Sequence, residues 1–278
     1  MNLKDKNCII TGASSGIGKE MALEMAVMGA RLILTGRDKK KGDHALKEII
    51  EKSNNRNIKM LYADFSDQKQ IRSLAETIKS ELDSIDVLMN NVGAFYPSRM
   101  LSPDGLEMTF AVNHIGYFLF TSLLMDLVIK DAPGKIINTS SAAHHSAKPD
   151  IEDLNLEKSY HGWTAYSNSK LYNLFFTYEL DRKYRDKGIR VNAFHPGVIA
   201  TDIVRNVFFP VPQLWKLFGK SVKAGAVGGV YLASSAEAEN ISGKYFKGRI
   251  EKKSSSLSLD RNLAGKLWEY SEKVCKLK

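Results

Sequence analysis

The chain has 278 residues, 44% hydrophobic and 26% charged. That balance excludes disorder, collagen-like repeats and fibrous classes for the chain as a whole. Its 40 basic and 31 acidic side chains leave a net charge of +9 and a pI near 9.3, which suits nucleic acid, an anionic membrane surface or a phosphorylated small molecule without choosing among them.

Short apolar runs alternate with helical stretches. Cys8-Ile9-Ile10 reads as a strand ending in Thr11-Gly12, and Ile17 to Met28 as a helix with Ile17, Met21, Met25 and Met28 at helical spacing. Arg31 to Thr35 reads as a second strand and Lys39 to Lys52 as a helix. Ile58 to Ala63 is a third strand, closed by Asp64, and Ser66 is placed to cap the next helix. Ile85 to Met89 is a fourth strand, Leu106 to Ile129 a long apolar helix, and Lys135 to Thr139 a fifth strand. A helix from about Thr164 to Tyr184, a strand Arg190 to Phe194, a helix Val222 to Ser234 and a short strand Lys244 to Phe246 complete the series. This order predicts one α/β domain over 1–278, doubly wound around a mostly seven-stranded parallel sheet with helices on both faces.

Only Cys8 and Cys275 occur, in no metal-ligand spacing, which argues against a zinc site and suits a reducing compartment. The polar N-terminus gives no signal peptide, and no stretch reads as the ~20 apolar residues needed to span a bilayer. The expected location is cytoplasmic or membrane-peripheral.

Thr11-Gly12-Ala13-Ser14-Ser15-Gly16-Ile17-Gly18 joins the first strand to the first helix. A turn of this kind needs glycine where backbone approaches a pyrophosphate, and the helix start offers free amides to it. The spacing is Gly-x3-Gly-x-Gly. With Asp64, Asn90-Asn91-Val92-Gly93, Asn113, Ser141, Tyr166-x3-Lys170 and Pro196-Gly197 following in order, the chain resembles the short-chain dehydrogenase/reductases, a family with the Rossmann fold, and most of all its retinol-dehydrogenase-like members. Val92 stands where alanine is more usual.

Tyr166 and Lys170 share one face of a helix, where an ammonium lowers a phenol's pKa from its ordinary ~10 and lets it exchange a proton. Alone, the spacing reads more simply as an aromatic beside a solvated lysine. Ser141 ends the fifth strand, with Ser140 as its competitor, and the resemblance prefers Ser141. Asn113, in an apolar helix, needs buried hydrogen-bond partners; the resemblance adds a water-mediated proton relay with Lys170. His144 and His145 read as solvated loop residues. The implied chemistry passes a hydride between nicotinamide and a carbinol or carbonyl carbon, with Tyr166 handling the proton, Ser141 polarising the oxygen and Lys170 holding the ribose.

The position at the end of the second strand where NAD sites place an acid is Gly36, followed by Arg37, which favours NADP(H) over NAD(H). By resemblance, Asp64 and Phe65 meet the adenine end. Gly12, Ser14, Ser15, Gly16, Ile17, Gly18 and the Asn91-Val92-Gly93 segment line the cofactor cleft, and Tyr166, Lys170, Pro196, Gly197, Val198 and Thr201 reach the nicotinamide end. The apolar, aromatic stretch 207–218, within a segment of about 203–222, reads as a substrate lid; a membrane-surface patch and plain core packing are its rivals. A C-terminal extension runs over about 249–278. The expected substrate is an apolar aldehyde, ketone, retinoid or steroid-like alcohol. No hydrophobic anchor precedes the first strand, unlike in many membrane-anchored relatives, although peripheral membrane contact and a homo-oligomer remain compatible with the reading. The different-class rival is a catalytically idle NADP(H)-sensing or scaffold protein. Nucleic acid is not expected: the positive excess falls into residues 36–60, with eight basic against four acidic side chains, and residues 241–278, with ten against four.

Overall fold

A computed structural model describes residues 2–130, 133–197 and 221–277. Strands β1 (Asn7–Ile10), β2 (Arg31–Gly36), β3 (Ile58–Tyr62), β4 (Val87–Asn90), β5 (Lys135–Thr139), β6 (Arg190–His195) and β7 (Lys244–Lys247) are all parallel, in the order β3-β2-β1-β4-β5-β6-β7. A two-residue strand β8 (Ile250–Glu251) adds antiparallel to β7, an eighth strand beyond the seven expected. The strand order reverses between β1 and β4, and this switch point opens a crevice at the carboxyl ends of the strands.

Alternation along each strand feeds two hydrophobic layers. Ile9, Leu88 and Ile136 point to one face, and their neighbours Cys8, Ile10, Val87, Met89 and Ile137 to the other. Helices α1 (Gly16–Val27) and α2 (Lys39–Ser53) cover the second face. Helices α3 (Gln68–Glu81), α4 (Met108–Lys130) and α5 (Gly162–Tyr184) cover the first. Helix α6 (Val222–Ser234) returns to the second face, and α7 (Arg261–Val274) packs Ala264 and Leu267 into the first.

Three expectations change. The cap of α3 is Asp67, whose carboxylate accepts from the Lys69 and Gln70 amides. Ser66 turns its hydroxyl back onto Asp64 instead. Helix α4 is long and apolar enough to cross a membrane by length and composition, contrary to the sequence reading, yet 72% of its most apolar window is buried inside the fold. It is also interrupted: Ala111–Ile115 is a π turn, with the Gly116 amide bonded to the Ala111 carbonyl. Such single π turns are rare, and they concentrate at functional sites.

Candidate active site

The glycine-rich turn is shaped by close approach. Gly12 and Gly16 have φ of +67° and +55°, where a side chain is strained. A Cβ on Gly12 would lie 2.8 Å from the Val92 Cα, and one on Gly18 would run into the Gly12 carbonyl oxygen. The turn is pinned from behind by Thr11, whose hydroxyl oxygen accepts from the Asn91 amide at 2.8 Å and the Val92 amide at 3.1 Å. Asn91 Nδ2 donates to the Thr11 carbonyl at 3.0 Å. Ser15 makes no side-chain cap for α1, so the first-turn amides are left for another acceptor.

These residues line a cleft of about 500 Å³ at the switch point. Gly12, Ser14, Ser15, Gly16, Ile17, Gly18, Arg37, Asp64, Phe65, Asn91, Val92 and Gly93 all face it, as the sequence reading expects. A cradle that any added Cβ would fill, open helix amides and a cationic far end fit a dinucleotide. Lys41 and Tyr96 also line the cleft and were not singled out individually from sequence. A larger groove of about 830 Å³ lies away from these motifs, between α5 and the β7–β8 edge.

At the far end, Arg37 Nη1 lies 3.6 Å from Asp64 Oδ2. Burial works against the guanidinium charge, but Asp64 and Tyr96 hold its pKa above the ordinary value. The surrounding charge is mostly solvated pairs one helical turn apart: Lys39–Asp43, Lys47–Glu51 and Lys52–Glu48.

At the near end, α5 carries Tyr166 and Lys170. Lys170 is 2% exposed, and its Nζ donates to the Thr139 carbonyl at 3.3 Å. It also stands 3.6 Å from where a Cβ on Gly93, a residue of the cleft wall, would be. Burial pulls Lys170 down to about 8. Burial pushes the Tyr166 phenol up to about 12, and a hydrogen bond from Ser141 works against that rise. The ammonium lies over the ring face, 5.5 Å from its centroid. The expected lowering by Lys170 is not among the causes that set the phenol, which are burial, raising it, and Ser141, lowering it.

The two serines differ in their partners. Ser140 is 1% exposed and donates to the Lys170 carbonyl at 2.8 Å. Ser141 acts to lower the Tyr166 pKa, and its Oγ accepts from the Ala143 amide at 3.2 Å. Asn113 sits in the π turn, fully buried. Its Oδ1 accepts from the Ala94 amide at 2.8 Å, and its Nδ2 donates to the Ala94 carbonyl at 2.9 Å and to Ser169 Oγ at 2.9 Å. Asn113 thus bolts the loop after β4 to α5, each bond contributing about 1 kcal/mol.

His144 contradicts its sequence reading. It is 1% exposed and bonded at both ring nitrogens, while its neighbour His145 is exposed. Sequence reasoning also missed Tyr117, whose hydroxyl donates to the Val92 carbonyl at 2.7 Å, and the buried ladder Asn90–Asn138–Thr177 beneath the site. Tyr117 lay in plain view in an apolar helix, with no spacing to mark it. Phe95 and Trp163 flank Tyr166, each with ring centroids 6.0 Å away, and Trp163 is 45% exposed. Pro196 and Gly197 follow β6, with the Gly197 amide bonded to His195 Nδ1 at 3.0 Å. Val198, Thr201 and nearly all of the 203–222 segment lie outside the described residues.

A family model described as short chain dehydrogenase matches residues 6–209. Retinol dehydrogenase 13 of Mus musculus is 39% identical over 97% of this chain and 83% of its own. Retinol dehydrogenase 12 of Mus musculus is 38% identical over 98% of this chain and 86% of its own. Among solved structures, an uncharacterized protein of Mycobacterium paratuberculosis superposes with a TM-score of 0.81 at 29% identity, covering 99% of this chain and 95% of its own. A short chain dehydrogenase of Escherichia coli CFT073 complexed with NADPH shares the fold, with a TM-score of 0.71 at 24% identity over 89% of this chain and 98% of its own. The chain belongs to the short-chain dehydrogenase/reductase family of nicotinamide-dependent oxidoreductases and is retinol-dehydrogenase-like within it.

Proposed function

We propose that the protein is an NADP(H)-dependent carbonyl reductase or alcohol dehydrogenase acting on an apolar aldehyde, ketone, retinoid or steroid-like alcohol. The observation that carries this reading is the Lys170 ammonium over the Tyr166 ring, 5.5 Å from its centroid, with Ser141 close enough to lower the phenol's pKa and Phe95 and Trp163 beside it.

Bound in the cleft, the nicotinamide supplies or accepts a hydride. The chain's own residues do the rest. Gly12 to Gly18 and the amides of α1 take the pyrophosphate. Arg37, released from Asp64, pairs with the 2′-phosphate, which a guanidinium matches in charge and geometry. Lys170 holds the ribose beside Gly93. Ser141 donates to the substrate oxygen, and Tyr166, a protonated phenol at neutral pH, gives that oxygen its proton in the reductive direction. Asn113 keeps the loop after β4 and α5 in register while this happens. The aromatic rim formed by Phe95 and Trp163 suits an apolar substrate body, in keeping with the names of the retinol dehydrogenases it resembles. The test is cofactor consumption with a panel of apolar aldehydes and ketones, NADPH against NADH, in the wild type and in Tyr166→Phe. Turnover unaffected by Tyr166→Phe would refute the assignment.

A further inference from the structure

Ser141 caps the short 3-10 helix Ala142–Ser146, which carries His144. The partners of the His144 ring leave one tautomer. The Ser141 carbonyl oxygen, 2.6 Å from Nδ1, can only accept. The Ser255 backbone amide, 3.1 Å from Nε2, can only donate. His144 is therefore neutral with its proton on Nδ1. The Ser141 carbonyl also accepts from the His144 main-chain amide at 3.2 Å, so two donors of one residue converge on it. Tyr245 and His145 hold the ring from other sides, with centroids at 5.1 and 4.0 Å.

Ser255 belongs to the C-terminal extension, beyond residue 209 where the family match ends. That extension is itself firmly seated. Ser255 Oγ accepts from the Ser258 amide at 3.3 Å, and Ser258 Oγ donates to Ser254 Oγ at 2.7 Å. Ala264 and Leu267 of α7 are buried, and Ser271 Oγ meets the buried His114, next in the chain to Asn113, at 2.9 Å.

We propose that His144 is a positioning residue, which transmits the rigidity of the C-terminal extension to the backbone of Ser141 and so fixes where the Ser141 hydroxyl stands beside Tyr166. The proposal rests on the reading of Ser141 and Tyr166 as the reacting pair. Its physical basis is that Ser141 Oγ already accepts from the Ala143 amide, which leaves its one proton for the substrate oxygen shared with the phenol. A small rotation of the Ser141 backbone moves both bonds, and misplacement by about 1 Å is enough to cost on the order of a hundredfold in rate.

The experiment separates the two ring nitrogens. An asparagine amide nitrogen overlays Nδ1, so His144→Asn keeps the donor to the Ser141 carbonyl. A glutamine oxygen overlays Nε2, so His144→Gln keeps only the bond to Ser255. His144→Ala keeps neither. Ser255 has φ −63°, where proline fits, so Ser255→Pro removes the amide donor, with Ser255→Ala as its reference for the lost cap. The first readout is the ¹³Cζ resonance of Tyr166, assigned by its loss in Tyr166→Phe, which reports hydrogen bonding at the phenol without turnover. It should move in His144→Ala and return in His144→Asn. The second is NADPH-linked reduction of an apolar aldehyde. We expect kcat to fall about ten- to a hundredfold in His144→Ala and His144→Gln, and to stay within about threefold in His144→Asn, with KM and NADPH affinity little changed. Ser255→Pro should be slower than Ser255→Ala. An unmoved Tyr166 resonance in His144→Ala overturns the proposal, as does a His144→Asn variant as slow as His144→Ala. A resonance that moves and returns as predicted, in a protein that reduces no aldehyde, supports the positioning role and counts only against the functional reading.

Discussion

Lys170 Nζ stands over the face of the Tyr166 ring, 5.5 Å from its centroid, and donates one hydrogen bond to the Thr139 carbonyl at 3.3 Å. The phenol is held up near 12 by burial and the ammonium is held down near 8 by burial. At neutral pH the pair is therefore a protonated acid beside a cation. Reduction of a carbonyl uses both in that state. Tyr166→Phe removes the acid and leaves the cleft lining intact. It should lower turnover about 10²- to 10⁴-fold and leave NADPH affinity within about twofold, measured by fluorescence titration.

The same pair sets a pH dependence. Lys170 has a lowered pKa, so its ammonium is present below about 8 and lost above it. Reduction, measured as kcat/KM, should be level below that value and fall about tenfold per unit above it. A rate that rises through pH 8 would contradict the role given to Lys170.

Arg37 has one partner among the described carboxylates, Asp64 at 3.6 Å, and a 2′-phosphate would offer it a better one. Charge-assisted bonds of this kind contribute about 1.5–3 kcal/mol, so Arg37→Ala should weaken NADPH binding about ten- to a hundredfold. NADH binding should change little. Equal losses for the two cofactors would remove the argument for NADP(H).

Much of the fold is legible because it is local. The bounds of Lys135–Thr139 and Val222–Ser234 match their reading from sequence, since an apolar run or a helical spacing is enough to define them. Helix α7 was not read from sequence, where residues 249–278 stood only as an extension, although Ala264, Leu267 and Ser271 lie at helical spacing. The π turn was not legible either: Asn113 within it bonds Ala94 across a loop, a pairing that no local spacing marks. His144 read as solvated because the partner that buries it, Ser255, is 111 residues away. At the site, the ordered motifs marked the residues, whereas the differing partners of Ser140 and Ser141 were not legible there.

Three buried histidines give the fold an acid sensitivity. Burial lowers His114 to about 3, and His144 and His195 to about 4. Once unfolded they bind protons below about 6.5, so the unfolded state takes up more protons than the folded one. Their contribution to stability is complete above about 6.5 and is lost as the pH falls from there toward 4. Each histidine steepens that loss by about 1.4 kcal/mol per pH unit. Urea unfolding at several pH values between these limits should show the slope, and His114→Phe should reduce it by about one proton.

Gly18 tests the glycine turn. A Cβ there meets the Gly12 carbonyl oxygen, which is backbone, and comes within 2.5 Å of Asn91 Nδ2, which is held by the Thr11 and Gly12 carbonyls. Gly18→Ala should cost about 1–3 kcal/mol of stability and weaken NADPH binding. Thermal unfolding with and without NADPH would show both.

The central claim is that Tyr166, set by Ser141 and Lys170, gives a proton to the oxygen of an apolar carbonyl substrate while NADPH is consumed. The most direct measurement follows NADPH and NADH consumption with apolar aldehydes, retinaldehyde among them, in the wild type and Tyr166→Phe. The account predicts that the wild type consumes NADPH faster than NADH and that Tyr166→Phe consumes neither. Consumption that persists in Tyr166→Phe, or none by the wild type with any aldehyde and either cofactor, would contradict it.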